Sequence, residues 1–280
     1  MKLFAGKLFS NALFALVAIV LVWPEAALAT GPRVTKSLFS ADKSEIHTID
    51  FPPYVSTEVT DGGAVSEIVR TALKVAGIEA VITTHPLTGM VRYYLLQEHA
   101  LAVMGRHLQF SDEQKKNLIF IPLMVMEEAY FYYKPLHPDG LKMDTDSLKQ
   151  MTYGAHRGED VSRHEKAGTT VKYAATMTLL KLLKSGEVDY VAVPALSEEW
   201  LVDRYMADEK GNFARLAETA GNETLYMIFN RKHAGGEAAA QGFRKALADI
   251  IQDGTYGRIL DKHLGVENGK LYLRRLETLQ

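Results

Sequence analysis

The sequence predicts an α/β protein built as two lobes joined by two crossing strands, and three observations predict it. Strand-like and helix-like patterns alternate from residue 44 to about residue 118, and a second alternating series runs from Asp144 to Asp208. An apolar strand-like stretch follows each series: "MVMEEAYFYYK", Met124 to Lys134, after the first and "TLYMIFN", Thr224 to Asn230, after the second. Strands separated by helices imply parallel sheets with right-handed crossovers. With the crossing stretch that follows it, each series spans roughly 90 residues, enough for a lobe with its own core.

In the first series, "EIHTIDF" reads as a strand that runs into a Pro52-Pro53 turn. "AVSEIVRTALKVAG" places Val65, Ile68, Val69, Ala72, Leu73 and Ala76 at helical spacing on one face, and Gly77 suits the end of that helix. The strand "IEAVITT", a helix from Met90 to Gln97 and the strand "LAVMG" follow. Ser111 opens "SDEQKKNL", a short helix with the Ser-x-x-Gln capping-box pattern.

The second series contains "SLKQM", the strand "TYGAH", the helix "EDVSRHEKAG" and the strand "TTVKYA". The helix "TMTLLKLLKSG", the strand "DYVAVPA" and the helix "SEEWLVDRYMAD" complete it. After the second crossing strand come the helices "GEAAAQGFRKALADIIQDG" and "TYGRILDKHLG". Two crossing strands fit one lobe inserted within another. The expected division is 1–29 leader, 30–128 plus 226–265 lobe 1, 129–225 lobe 2, and 266–280 a polar tail. That tail carries a short apolar patch at Leu271 to Leu273 and has no assigned place. Ligands of open α/β sheets bind beyond the carboxyl ends of strands, so the lobes should face each other across a cleft.

The opening residues have a different character. Lys2 and Lys7 precede the apolar run "LFSNALFALVAIVLVW", Pro24 breaks it, and "ALAT" offers cleavage after Ala29. This is the pattern of a cleaved secretory signal peptide; an uncleaved anchor helix is the rival, since the run is close to the lower limit for spanning a bilayer. No cysteine is present, which excludes disulfides, a thiol nucleophile and a lipid-bearing cysteine behind the leader. With 24% charged residues and a net charge of −2, there is no basic surface for nucleic acid or an anionic membrane. The expected location is the periplasm or outside the cell, as a soluble monomer without membrane insertion after cleavage.

Four segments in order carry a resemblance: "IDFPPYV" with "DGGAVSEIVRTALKVAG", "LLKSGEVDYVAV", and "ALADIIQDGTYGRILDKHLG" with its "DGTY". In these the chain resembles the family 3 extracytoplasmic solute-binding proteins, the type II periplasmic receptors best known for amino-acid uptake. The resemblance covers Glu45 to Gly265. It implies a two-lobed periplasmic-binding-protein clamshell that closes on a small solute and then docks on an inner-membrane permease or a sensor. It also implies three groups for an amino-acid ligand: an arginine for the α-carboxylate, a Ser or Thr at a second-lobe helix start, and an aspartate for the α-ammonium. The matching positions here hold Gln114, Glu159 with Asp160, and Pro194. An ordinary α-amino acid in the usual pose is therefore not expected, and a cationic or polar neutral solute fits these substitutions better. With a shift of register near His107, Arg106 would supply the cation instead.

The candidate ligand-binding residues are Asp50, Tyr54, Arg106, Gln114, Arg157, Glu159 and Asp160. All but Tyr54 have a plainer structural reading. Asp50 can bind turn amides ahead of Pro52, and Tyr54 lies in a loop where the resemblance implies an aromatic contact. Arg106 and Arg157 follow strands but can be solvated surface residues. Gln114 can cap its own helix. Glu159 and Asp160 can sit in a first turn for the helix dipole alone. The nine histidines show no close ligand spacing, and neither a Gly-x-Ser-x-Gly motif nor a phosphate loop occurs. No catalytic residue, metal or cofactor is expected. The expected function is a periplasmic solute receptor that serves a transporter. The alternatives are a sensory or accessory protein docking on an envelope partner, and a dehydratase-like enzyme on the same scaffold that would use Arg106 with Glu159.

Overall fold

The first series folds as β1 (Ser44–Ile49), α1 (Ala64–Val75), β2 (Ala80–His85), α2 (Thr88–Leu96), β3 (Ala102–Arg106) and the single turn α3 (Asp112–Lys115). The computed structural model describes residues 44–279 apart from Leu87 and Gly158; the leader and cleavage site expected at 1–29 lie outside the described residues. β1 pairs in parallel with β2 and with β3. α1 buries Val65, Ile68, Val69, Ala72 and Leu73, the face its spacing predicts. The "DGG" turn that leads into α1 depends on Gly63. Its φ is +91°, and a Cβ there would lie 2.6 Å from the carbonyl oxygens of both Pro53 and Tyr54. No side chain fits between that turn and the loop after β1.

The chain then runs through β4 (Leu118–Tyr133), α4 (Thr145–Leu148), β5 (Thr152–Ala155), α5 (Ser162–Ala167), β6 (Thr170–Tyr173), α6 (Thr176–Ser185), β7 (Tyr190–Pro194) and α7 (Ala195–Tyr205). β8 (Phe213–Asn230), α8 (Gly236–Gln252), α9 (Thr255–Leu264) and α10 (Val266–Glu277) complete it. The two crossing strands are longer than predicted, 16 residues in β4 and 18 in β8. They pair with each other, antiparallel, from Leu118 opposite Asn230 to Tyr133 opposite Phe213. Their ribbon joins both halves into one eight-stranded sheet of order β2-β1-β3-β8-β4-β7-β5-β6, and the described residues form one compact unit.

The hydrophobic residues nevertheless sort into separate cores, and both long strands change core part-way. β4 up to Met126 and β8 from Leu225 pack with α1, α8, α9 and α10. Ala129, Phe131 and Tyr133 of β4, with Phe213 of β8, pack with α6, α7 and β7. Tyr130 and Leu216 join β5 and Tyr190 in a third cluster. Between the two sets lie Glu127 and Glu128, which no apolar core could hold unpaired. Successive strand residues point to opposite faces, and each glutamate finds a cation there. Glu127 is paired with Arg215 of β8 and, at 2.7 Å, with Arg275 of α10. Glu128 is paired with Arg106.

The tail without an assigned place is α10, and it belongs to the first core. Tyr272 and Leu276 are 3% and 1% exposed. The hydroxyl of Tyr272 lies 2.6 Å from that of Tyr54, in the loop after β1. Predicted helix starts shift in three places, the first being α2, which begins at Thr88 and not at Met90. α5 begins at Ser162, not at Glu159, and α7 begins immediately after Pro194. Pro194 is the last residue of β7 and the N-cap of α7, a position that needs no amide donor from it.

A candidate solute-binding cleft

The carboxyl ends of five strands converge on one cavity of about 740 Å³. From the first half, Ile49 to Pro52 follow β1, His85 and Pro86 close β2, Thr88, Gly89 and Arg92 come from α2, and Arg106 and Gln109 follow β3. From the second half, His156 and Arg157 follow β5, Ala174 to Met177 lead from β6 into α6, and Ser197 and Leu201 come from α7. A cavity of this size holds a small metabolite.

Its charge is unbalanced. Arg92, Arg106 and Arg157 line it against a single carboxylate, Asp50. Neither Arg157 nor Asp50 has a side-chain hydrogen bond or ion pair among the described residues, so both are available to a solute. Arg92 donates to the backbone carbonyl of Gln109 at 3.4 Å. Arg106 donates from Nη1 to Oε1 of Glu128 at 3.3 Å, with the two side chains 16% and 10% exposed. Burial pushes the Glu128 carboxyl up to about 7 despite that arginine, with Glu159 and Glu223 adding to the rise and His156 opposing it. Glu223 on β8 is likewise raised, chiefly by burial.

The second half adds a helix end. α6 has Ala175 as its N-cap, with no side-chain cap, and its first residues line the cavity. The amides of an uncapped first turn, with the positive end of the helix dipole behind them, favour an anion. His156 reaches the same place, its Nε2 lying 2.9 Å from the Thr176 hydroxyl. Across the cleft, Ser197 of α7 donates its buried hydroxyl to the Pro52 carbonyl at 2.6 Å. Glu58, in the loop after β1, accepts from Tyr205 and lies 3.5 Å from Arg204, both on α7.

The structure brings together Asp50, Arg106 and Arg157 of the candidates read from sequence, and corrects the other four. Tyr54 is fully buried, with its hydroxyl on Tyr272, so it is a core residue. Gln114 closes the capping box with Ser111, its Oε1 accepting the Ser111 amide at 3.0 Å. Glu159 turns inward, where it accepts from the Tyr153 hydroxyl and, at 2.9 Å, from the His156 amide. Burial raises its carboxyl, but the hydrogen bonds from His156 and Tyr153 outweigh that and hold it low. Asp160 is exposed and accepts the Ser162 amide at 3.0 Å. The negative charge expected from Glu159 and Asp160 is thus not offered to the cleft, and the expectation of a cationic solute loses its basis. Sequence reasoning missed His85, Arg92, Gln109, His156, Thr176 and Ser197. Of these, His85 and His156 stand directly at strand ends, a signal that was present.

Solved structures share the fold of this chain. A histidine kinase sensor domain with similarity to periplasmic binding proteins aligns with a TM-score of 0.66 and 17% identity, over 80% of this chain and 96% of its own. An ancestral arginine-binding protein bound to glutamine aligns at 0.62 and 23% identity, over 81% and 100%. The GluR0 ligand-binding core from Nostoc punctiforme in complex with L-glutamate aligns at 0.62 and 15% identity, over 79% and 99%. The fold is that of the type II periplasmic binding proteins. No protein-family model matches the sequence, and no curated protein does. Among the described residues, no helix is long and apolar enough to cross a membrane.

Proposed function

We propose that the chain is a periplasmic receptor for a small solute bearing negative charge, which it presents to an inner-membrane permease. The observation that carries this reading is the cleft itself, with three arginines against one aspartate and the uncapped start of α6 facing them. A charge-assisted hydrogen bond to a carboxylate or phosphate oxygen is roughly twice as strong as a neutral one, and here such donors come from both halves. A ligand that touches both halves binds the closed form better and shifts the equilibrium toward it. An ordinary α-amino acid in the usual pose remains disfavoured. By the resemblance Pro194 stands at the ammonium partner's position, so an α-ammonium would have to turn to Asp50, the one carboxylate in the lining.

Glu128 has the displaced acidity of a catalytic acid or base, but it lies behind Arg106 and outside the cavity lining. Glu159, the acid a dehydratase-like reading requires, is engaged by Tyr153 and His156. Binding without chemistry is the better-supported role. A sensory role is the second reading, because a kinase sensor domain stands beside the transport receptors among the structural relatives.

A thermal-shift screen of the protein from residue 30 onward tests the proposal. A solute at a hundred times its dissociation constant adds about 2.7 kcal/mol. Small mono- and dicarboxylates or phosphate esters should raise the melting temperature, and lysine- or polyamine-like cations should not. Stabilisation by cations alone would overturn it.

A further inference from the structure

We propose that Glu128 is a built-in counter-anion for Arg106, which an incoming anionic solute displaces, so that capture of the solute is coupled to uptake of one proton by Glu128. The inference rests on the reading of the cleft as an anion site and deepens it.

The geometry sets up a competition. Arg106 is the one lining arginine already held by a carboxylate, at 3.3 Å, with both partners largely removed from water. A planar guanidinium can serve two carboxylates, but a solute anion beside Arg106 weakens what the arginine does for Glu128 and adds a like charge nearby. A buried carboxylate that loses its cation becomes neutral, because leaving it charged in low dielectric costs more than taking a proton. The surroundings push the same way. Glu159, from the loop after β5, and Glu223, from β8, both disfavour charge on Glu128, and His156 is the remaining group that favours it. Burial and these neighbours already place the Glu128 carboxyl at about 7 with Arg106 in place. A further rise puts its titration across the neutral range. The proton comes from solvent and ends on the Glu128 carboxylate, and no other bond changes.

The position of Glu128 ties this event to the hinge. It lies in β4 where the strand changes core, opposite both Pro194 of β7 and Gly221 of β8. The pairing with β8 shifts register immediately after it.

The sign follows from linkage. The empty protein has the lower Glu128 pKa and the loaded protein the higher one. Binding therefore takes up a proton in the window between them, and affinity rises as pH falls. The slope reaches at most tenfold per pH unit, and it flattens below about pH 6, where the empty protein is already protonated.

The experiment is calorimetry with tartrate, benzoate and sulfate as probes, all of constant charge between pH 6 and 8.5, run over that range on the wild-type protein in two buffers of different ionisation enthalpy, and on Glu128→Gln. The result expected is that at least one probe binds the wild type with proton uptake above pH 7. Its affinity should fall several-fold from pH 7 to pH 8.5. Glu128→Gln should bind at pH 8.5 with the affinity the wild type shows at pH 6, and without a pH slope. Binding of a probe with no buffer-dependent heat overturns the coupling while leaving the anion reading intact. No binding of any probe to the wild type overturns both. If Glu128→Gln fails to fold, proton uptake that persists in both His85→Gln and His156→Gln still assigns the proton to Glu128, and its loss in either overturns the coupling.

Discussion

The hydroxyl pair of Tyr54 and Tyr272 offers a sharp test of where the carboxyl-terminal helix belongs. Tyr54 is 0% exposed and Tyr272 3%, and their oxygens lie 2.6 Å apart across 218 positions of sequence. Neither hydroxyl has another recorded partner among the described residues. In Tyr272→Phe the rings stay packed, but the Tyr54 hydroxyl is left buried with nothing to bond, at a cost of about 1–3 kcal/mol. Tyr54→Phe strands the other hydroxyl in the same way. The double variant removes both polar groups and should lose less than about 1 kcal/mol, so the single losses should fail to add by at least about 1 kcal/mol. Urea unfolding of the four proteins measures this directly. Additive losses, or single losses below about 0.5 kcal/mol, would refute the reasoning, since the pair would then be solvated and α10 loosely attached. Solute affinity should be unchanged in Tyr54→Phe, because that ring faces the core and not the cleft.

Other outcomes follow from the same physical account. Burial, with Glu199 and Asp203 beside it, pushes the Glu198 carboxyl up from 4.5 to about 7. A raised acid binds more protons folded than unfolded, so stability falls as pH rises from about 4.5 to 7. Glu198→Gln should gain about 1–2 kcal/mol at pH 8 and nothing at pH 4, after allowance for the partial exposure of the group. Glu209 has the opposite sign: Lys184, Tyr133 and Asn212 hold its carboxyl at about 2. Its contribution is present above pH 4.5 and lost as pH falls toward 2, and Lys184→Met should move its NMR titration upward. Gly63→Ala must fit a Cβ where only 2.6 Å is open, at a φ of +91°. It should cost at least about 2 kcal/mol in urea unfolding; a near-neutral effect would mean that the turn before α1 is not tightly held.

Much of the architecture was legible because it rests on local periodicity. The apolar face of α1, the alternation of strands and helices, and the two crossing stretches all lie in consecutive residues. Asp50, Arg106 and Arg157 were legible for a related reason: they follow strand ends, and the topology carries strand ends to the cleft. What failed depended on distance or on one residue of register. Tyr54 stands in the right loop, but its direction is set by Tyr272, which only the folded chain brings near. Glu159 and Asp160 lost their helical first turn because α5 starts three residues later, and the freed Glu159 turns back to the His156 amide. The pair Glu127-Glu128 passed as part of a crossing strand. The side-chain alternation of that strand sends one toward Arg215 and Arg275 and the other toward Arg106, partners that no spacing in "MEEA" announces.

The central claim is that one small anion is gripped from both halves of the clamshell, and a structure with the most stabilising anion bound tests it most directly. Its acidic oxygens are expected within hydrogen-bonding distance of Arg157 and the first amides of α6, with an arginine of the first half, Arg92 or Arg106, on the same molecule. An anion held by one half alone, or seated away from the ends of the strands, would contradict it.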